Sequence, residues 1–299
     1  MPKGIDVSNV AKDFELESLK QGLRLDGRKL NEFRDVEINI GNSYGSVDVK
    51  LGKTRIAVRI SAEIVAPFED RPFEGLFMIN TEISPMASAM FESGRQSDEE
   101  ILISRLIEKA VRRSNALDLE SLCIIAGEKC WSIRADIHYL DYDGNFADIS
   151  CIGVLCALLH FKKPDITINE HQEIIVHPIN ERVPVPLSIL HIPICVTFAF
   201  FNPNDVEENI KGDSNAELIV VDPTMGEELL AYGSLTLTMN KNRELVQISK
   251  AGGLSIDAMV IMDCSNLAYE IACRITDQIR EAIKADDAKR AEKRLEIRL

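Results

Sequence analysis

The sequence lacks the long apolar run of a membrane span, which needs roughly 18 residues, and residues 1–20 are too polar for a secretory signal peptide. Both absences predict a soluble intracellular protein with no membrane partner. None of the seven cysteines belongs to a Cys-x-x-Cys pair, and the five histidines form no His-Glu-x-x-His motif, so we expect no metal site. The apolar neighbours of the cysteines favour buried thiols in a reducing compartment.

An excess of basic charge is also absent. The 34 Lys and Arg residues are outnumbered by 48 Asp and Glu residues, which gives a net charge of −14. A freestanding nucleic-acid binder usually has a basic footprint, so any RNA contact should come from a few residues, beside other chains. Hydrophobic residues, by contrast, make up 45% of the 299 residues, enough for a sizeable core in one large domain or two ordinary ones.

The first half of the chain reads as a leading helix, several strands and an amphipathic helix. Residues 9–21 have helical apolar spacing, and Ser97 and Glu100 have the spacing of a capping box that begins the later helix. The buried stripe of that helix is predicted to be Ile101, Leu102, Leu106, Ile107 and Val111. Strands are predicted over residues 33–40, 45–52, 54–65 and 76–84.

The proline-rich residues 180–188 mark the best domain boundary. We therefore predict one subdomain over residues 1–185 and a second over residues 186–299. The order of strands followed by helices recurs in both, which predicts an α+β protein.

The second subdomain is predicted to open with a long apolar strand over residues 189–201. Residues 202–217 are polar and rich in turn residues, as in a mobile surface loop. Met225-Gly226 and Lys241-Asn242 are predicted turns. A long amphipathic helix ends the chain, and its charged part beyond Lys284 is predicted to project into solvent or onto a partner.

The stretch from Tyr142 to Phe161 joins the turn Asp143-Gly144-Asn145 to an apolar helix. A glycine-containing loop that opens a helix is one way to hold a phosphate, because the free N–H groups and the helix dipole attract anions. From the residues alone, the stretch is either an anion site in an enzyme or only a connection.

Arg24-Leu25-Asp26-Gly27-Arg28, followed by Arg34, resembles the opening signature of the RNase PH superfamily of phosphorolytic 3′-to-5′ exoribonucleases. Residues 45–55 and 94–112 continue the resemblance. Residues 121–148 and 185–201 narrow it to ring subunits of the eukaryotic RNA exosome, of the PM/Scl autoantigen type. The resemblance implies an RNase PH fold, with two βαβ-rich subdomains, mixed sheets packed against helices, and a long C-terminal helix. It also implies a ring of six related chains around an RNA channel.

The resemblance implies that active relatives hold phosphate with a Gly-Ser/Thr-Arg loop before a helix. Asn145 and Phe146 stand in that region here and offer neither a hydroxyl nor a guanidinium group. Asp148 adds a negative charge, and two unit charges about 4 Å apart repel by about 4 kcal/mol at an effective dielectric constant of about 20. The loop is therefore predicted not to bind phosphate.

The family's catalytic carboxylates are two acids six residues apart in the second subdomain. Asp222 matches the first, and Glu228 stands where the second, an aspartate, would be. A solvated turn is favoured here over a catalytic use of Asp222. We expect no catalytic residue and no cofactor, and interpret as a degenerate former active site Asn145, Phe146, Asp148, Asp222 and Glu228.

The family grips RNA with an Arg-Arg pair at the start of the first long helix, where this chain has Arg95-Gln96. Arg95 is therefore a candidate RNA contact, and the alternative is a cap at a ring interface. Arg112 and Arg113 are further RNA candidates, with a solvated face or a subunit contact as the alternatives. Arg24 and Arg28 with Asp26 are predicted to form a structural ion-pair cluster.

The favoured function is a non-catalytic structural subunit of the RNA exosome ring. It would scaffold the complex and line the RNA channel during 3′-to-5′ RNA processing and degradation, including rRNA maturation and mRNA turnover. The alternatives are an active phosphate-dependent 3′-to-5′ exoribonuclease, and a composite site in which Arg95 assists catalysis in a neighbouring chain.

The resemblance also implies the partners. They are RNA, five other RNase PH-like ring subunits, oligonucleotide-binding cap proteins and a processive hydrolytic nuclease. One of the ring subunits is a dimer partner that resembles the active type. The implied localisation is the nucleus, the nucleolus and the cytoplasm. Long apolar strands with exposed edges predict that the chain alone is unstable or associates.

Overall fold

The computed structural model describes residues 8–92, 94, 96–169, 174–178, 181–201, 218–253 and 255–298. Two large β-sheets with helices packed against them, together with two small two-stranded sheets, make up this part of the chain. The predicted loop over residues 202–217 lies outside the described residues.

Six strands form the sheet of the first subdomain: β1 (Val36–Ile40), β2 (Ser46–Leu51), β3 (Thr54–Val65), β4 (Leu76–Ile83), β5 (Cys123–Ile125) and β6 (Lys129–Asp141). They lie in the order β1-β2-β3-β6-β4, with β5 paired to β6. The β4–β6 pair is parallel and the other pairs are antiparallel. The predicted alternation is confirmed in β2, where Val47, Val49 and Leu51 are buried.

Helix α2 (Asp98–Glu108) follows β4 and leads towards β6, as a parallel crossover requires. Its predicted start is confirmed, because Ser97 Oγ accepts from the Glu100 N–H at 3.2 Å and a Glu100 carboxylate oxygen accepts from the Ser97 N–H at 3.0 Å. The helix continues into a wider π-helical turn over Lys109–Arg113.

The predicted buried stripe of α2 is only partly right. Ile107 and Val111 are fully buried, but Ile101 and Leu102 are 43% and 68% exposed. The helix is rotated because Glu100 points inward, where its carboxylate accepts the N–H of Ile83 at 2.7 Å. The face that meets the sheet therefore runs through Glu100, Ile103 and Ile107.

Helix α3 (Phe146–His160) follows the predicted turn and contacts both β2 and β3 on one side and the second sheet on the other. Gly153 permits the close approach to the first sheet. A Cβ at this position would lie 2.7 Å from Ile56 Cδ1 and 2.9 Å from Val58 Cγ2. The apolar composition of α3 thus matches burial on nearly every side.

Four strands form the second sheet: β11 (Ile194–Phe201), β12 (Leu218–Val221), β13 (Gly233–Met239) and β14 (Leu245–Gly252). They lie in the order β12-β11-β13-β14, and every pair is antiparallel. The strand predicted over 189–201 begins only at Ile194, because Pro193 has no N–H to donate to a neighbouring strand. The predicted turn at Lys241-Asn242 is confirmed between β13 and β14.

The predicted turn at Met225-Gly226 is wrong, since these residues begin helix α4 (Met225–Leu230). Thr224 caps the helix, and the Glu227 carboxylate accepts the Thr224 N–H at 2.8 Å. This capping box was visible in the sequence as Thr-x-x-Glu. Helix α4 links β12 to β13, which lie on either side of β11.

Helix α5 (Ala258–Arg298) ends the described chain and packs against β1, β11, β13 and α3. The prediction that it projects away beyond Lys284 is wrong as far as Arg290. Lys162 Nζ lies 2.7 Å from Asp287, and Arg290 donates to the carbonyls of Gly41 and Asn42 at 2.6 and 2.8 Å. The charged part of α5 therefore lies on the first subdomain.

The remaining elements are short or peripheral. Helix α1 (Asn9–Lys20) begins at the cap Ser8, and a 3₁₀ turn spans Glu120–Leu122. The predicted division after residue 185 falls inside a two-residue strand, Val185–Pro186, and stays a prediction. The short strands are β7 (Lys162–Lys163), β8 (Ile166–Ile168), β9 (Ile174–Val176) and β10 (Val185–Pro186).

Candidate functional site

Four of the five residues assigned to the degenerate site meet where the two subdomains join. The turn before α3 supplies Asn145 and the first helical turn supplies Asp148, while Asp222 follows β12 and Glu228 lies on α4. The Asn145 side-chain amide lies 2.8 Å from Asp148 Oδ2 and 2.6 Å from Asp222 Oδ1. The Asn145 N–H lies 2.7 Å from Glu228 Oε1.

Asp222 is fully buried, so its interpretation as part of a solvated turn is wrong. Its backbone is left-handed, with a φ of 51°, and its N–H donates to the Thr197 carbonyl at 3.0 Å. Arg34 donates to both carboxylate oxygens from its guanidinium, at 2.7 and 2.8 Å, and from its backbone N–H at 3.0 Å. Arg28 Nη1 adds another contact at 3.0 Å.

These donors set the charge of Asp222. Burial alone would raise the pKa of this carboxyl, but the hydrogen bonds and charge of Arg34 outweigh it and hold the pKa below its ordinary value. With the Asn145 amide, five donors surround the two oxygens. An ionised carboxylate accepts about four hydrogen bonds, so little capacity remains for a substrate or an ion.

Arg34 also reaches the turn of the first subdomain. Its guanidinium donates to the carbonyls of Asp143 and Gly144, at 2.9 and 3.3 Å. Gly144 has a φ of 81°, and a Cβ there would lie 2.6 Å from the backbone nitrogen of Met225. Arg34 and Gly144 therefore fix the turn directly against the second subdomain.

The ion-pair cluster predicted around Arg24, Asp26 and Arg28 is confirmed. Arg24 forms a buried bidentate pair with Glu227, at 2.6 and 2.9 Å, and also donates to the carbonyl of Asp222 at 2.9 Å. Arg28 Nε lies 2.6 Å from an Asp26 oxygen. The cluster ties the segment before β1 to the start of α4.

Asn145 and Asp148 fill the start of α3 with the chain's own polar groups. Asn145 is the N-cap in a left-handed conformation, with a φ of 57°. The Asp148 carboxylate accepts the Thr197 N–H at 2.8 Å and the Thr197 hydroxyl at 2.7 Å. Burial raises the pKa of Asp148 to about 7, even though the hydrogen bonds from Asn145 and Thr197 oppose the shift.

The Glu228 carboxylate accepts the backbone N–H of Asn145, a donor that the turn would otherwise offer to an anionic ligand. Besides the Asn145 N–H, its carboxylate accepts the Tyr142 hydroxyl at 2.9 Å. Burial raises the pKa of Glu228 to about 7, and the nearby charge of Glu99 adds to the shift. Burial, again with the Glu228 charge, raises the pKa of Tyr142. The amide that could hold a phosphate is thus paired with a carboxylate.

Phe146 does not join this polar group. Its ring packs 4.2 Å from the ring of Tyr139 and 4.4 Å from that of Tyr142, measured between centroids, with Phe91 beyond them. It is 5% exposed. Phe146 therefore supports the turn through aromatic packing.

The candidate RNA contacts lie elsewhere or outside the described residues. Arg95 is not among the described residues. Arg112 and Arg113 lie in the π-helical turn, 13 residues beyond Glu99 and so roughly 20 Å along the helix axis. They line a cavity of about 720 Å³ that also contains Arg71 and the acids Glu74, Glu108, Asp118 and Glu120.

Charges of both signs therefore surround Arg112. Its guanidinium lies 3.2 Å from Glu108. Four acids against three arginines make a poor site for a phosphate backbone. This environment favours the alternative of a solvated or subunit-facing surface, although RNA contact at Arg112 and Arg113 stays a prediction.

Within the described residues, no group of His, Cys, Asp and Glu could hold a metal ion, and no helix is long and apolar enough to cross a membrane. All seven cysteines are free thiols, five of them buried. Sequence reasoning assigned no partner to Asp222 and missed Thr197 and Tyr142. The one available signal was Arg34, a charged residue beside the apolar start of β1.

Comparison with known proteins places these observations in a family. Models of the 3′ exoribonuclease family match the chain, domain 1 over residues 32–164 and domain 2 over residues 191–271. The exosome complex component RRP45 of Saccharomyces cerevisiae is 60% identical over 97% of this chain and 95% of its own length. The human protein of the same name is 39% identical, and the match covers 63% of its length.

Solved structures show the same fold. A chain of the Archaeoglobus fulgidus exosome with RNA bound to the active site superposes with a TM-score of 0.74 at 29% identity, over 90% of this chain and 98% of that one. A chain of an archaeal exosome core gives 0.69 at 28% identity, over 91% and 97%. The predicted RNase PH fold is thus confirmed.

Proposed function

The chain belongs to the 3′ exoribonuclease family of RNase PH-like proteins, and from this membership we propose that it is a non-catalytic ring subunit of the RNA exosome. The relatives named as exosome components cover nearly the whole chain. In this role the chain scaffolds the ring and lines the RNA channel for 3′-to-5′ RNA processing and degradation. The proposed localisation is the nucleus, the nucleolus and the cytoplasm.

One observation carries the non-catalytic part of this proposal. The groups that an RNase PH-like enzyme would direct at phosphate and RNA are bonded to one another: Asn145 N–H to Glu228, and Asp222 to Arg34. Phosphorolysis requires that phosphate be held by amides and a cation. Here the Glu228 carboxylate already accepts a hydrogen bond from the Asn145 N–H. This arrangement disfavours the alternative of an active phosphate-dependent exoribonuclease.

The proposed partners follow from the role. They are five related ring subunits, one of them a dimer partner that resembles the active type, together with oligonucleotide-binding cap proteins, a processive hydrolytic nuclease and RNA. Any hydrolysis resides in other chains. RNA contact by Arg95, Arg112 and Arg113 is part of the proposal. In the assembled complex, Arg95→Glu should lower protection of threaded RNA without weakening assembly.

Phosphate dependence tests the proposal. The assembly that contains this chain is given labelled RNA with and without inorganic phosphate, and released nucleotides are separated. We expect no nucleoside diphosphates. Their phosphate-dependent release, lost in Glu228→Gln while the melting temperature of the assembly does not fall, would overturn the non-catalytic role.

A further inference from the structure

An apolar groove opens between α2, the start of α3, α4 and the second sheet, and it shares Asn145, Phe146 and Glu228 with the degenerate site. Its volume is about 420 Å³, within the range of ligand pockets. Two of its wall residues are notably open to solvent, Leu102 at 68% and Tyr232 at 50%. Its apolar lining includes Leu102, Ile103, Phe146, Ala199, Pro223 and Tyr232.

The groove is also acidic. Glu99 and Glu228 both line it, while none of its described lining residues is Lys, Arg or His. Burial raises the pKa of each, and the Glu99 charge adds to the shift at Glu228. A cation placed between them would relieve this repulsion and would also favour their ionised forms.

The same charges disfavour RNA in the groove. A phosphate about 4 Å from either carboxylate is repelled by about 4 kcal/mol at an effective dielectric constant of about 20. Among the described residues, the Arg34 charge lowers the pKa of Glu228 somewhat, but the guanidinium groups of Arg28 and Arg34 are already bonded to Asp222 and do not pair with a phosphate in the groove. The groove therefore suits a cation with apolar neighbours better than an anion.

We propose that this groove binds a protein segment that contains an arginine flanked by apolar residues. The guanidinium lies between Glu99 and Glu228, where its planar fork matches carboxylate oxygens. The Tyr232 ring offers a face for cation–π stacking. The flanking apolar side chains cover Leu102 and the floor formed by Phe146 and Ala199. The site goes beyond the ring-subunit role and does not depend on it.

A defined peptide tests the chemistry on the full chain. The probe is fluorescein-labelled Gly-Leu-Arg-Leu-Gly, and its counterpart carries citrulline, which keeps the shape but removes the charge. We expect the citrulline peptide to bind at least about tenfold more weakly. Glu99→Gln should weaken the arginine peptide about fivefold, and Tyr232→Ser should weaken both peptides. Glu69→Gln, on an exposed loop away from the groove, is the matched control.

A photo-crosslinking amino acid at position 102 tests the site in the purified assembly. We expect a crosslinked protein segment with an arginine beside apolar residues, at a yield that Glu99→Gln lowers and Glu69→Gln does not. Equal binding of the two peptides, or a Glu99→Gln variant that binds like the control, overturns the proposal. So does a crosslink to RNA, to a segment without arginine, or to nothing.

Discussion

Asp222 and Glu228 both accept hydrogen bonds from Asn145, one from its side-chain amide and the other from its backbone N–H. Their surroundings nevertheless shift the two pKa values in opposite directions. Arg34 forms a bidentate pair with Asp222 and keeps its pKa low, whereas Glu228 has Tyr142 and the Asn145 amide as partners and titrates near 7. The Arg34 guanidinium, which is bonded to Asp222 and not to Glu228, separates the two pKa values.

The difference also separates two structural roles. The contacts of Asp222 join the two subdomains, because Arg34 bonds to Asp222 in the second subdomain and to the carbonyls of Asp143 and Gly144 in the first. The Glu228 side borders an open groove beside Glu99. The residues of the predicted degenerate site thus form a structural joint between the subdomains on one side and part of an acidic groove on the other.

The largest expected effect comes from removing the guanidinium. Arg34→Met leaves Asp222 buried without its main counter-ion, which typically costs about 3–5 kcal/mol. The measurement is the free energy of unfolding of the full chain in urea. Arg59→Met removes an arginine that is exposed on β3 and should cost less than about 0.5 kcal/mol. Equal losses of unfolding free energy in the two variants would show that the contact between Arg34 and Asp222 adds no more stability than an exposed arginine does.

A smaller, pH-dependent effect is expected at Glu228. An unfolded glutamate titrates near pH 4.3, whereas Glu228 titrates near 7. The stability contributed by its protonated form is fully present below about pH 4 and is lost as the pH rises through 7. Glu228→Gln imitates the protonated form, so its stability relative to wild type should rise by about 1–2 kcal/mol between pH 5 and pH 8.

Parallel unfolding profiles for wild type and Glu228→Gln across that range would contradict the raised pKa. Asp148 also titrates near 7, but it is present in both proteins and cancels in the comparison. The depressed pKa of Asp222 acts at the other end, where its contribution is lost as the pH falls below about 4.

The smallest effect is expected at the far end of α2. Arg112 pairs with Glu108 at a partly exposed surface, and such pairs contribute about 0–1 kcal/mol. Arg112→Ala should therefore change the free energy of unfolding by less than about 0.5 kcal/mol, in the same urea experiment. A loss near that of Arg34→Met would mean that the cavity lined by Arg112 is a second structural joint.

Local patterns predicted much of the fold. The Ser97 cap, the alternation in β2 and the helix after Asn145 all depend on residues close in sequence. The errors arose where distant residues decide. Glu100 points inward because the Ile83 N–H donates to its carboxylate. Helix α5 stays on the first subdomain as far as Arg290 because this residue donates to the carbonyl of Gly41, 249 positions away.

The candidate site shows the same limit. The sequence identified Asn145, Asp148, Asp222 and Glu228 through family resemblance, but it could not show what each one contacts. The partner that buries Asp222 is Arg34, 188 positions away. Charge state depends on such contacts, so a carboxylate that looked solvated is the most completely paired one in the cluster.

The Asn145 amide gives the most direct test of the central claim, that the chain's own carboxylates already accept the donors with which the turn before α3 would hold an anion. Its ¹⁵N and ¹H shifts are followed as inorganic phosphate is added to the full chain at constant pH and ionic strength. Because Glu228 already accepts this N–H, we predict no saturable change. A saturable shift centred on Gly144 and Asn145 would contradict the account and restore the turn as a phosphate site.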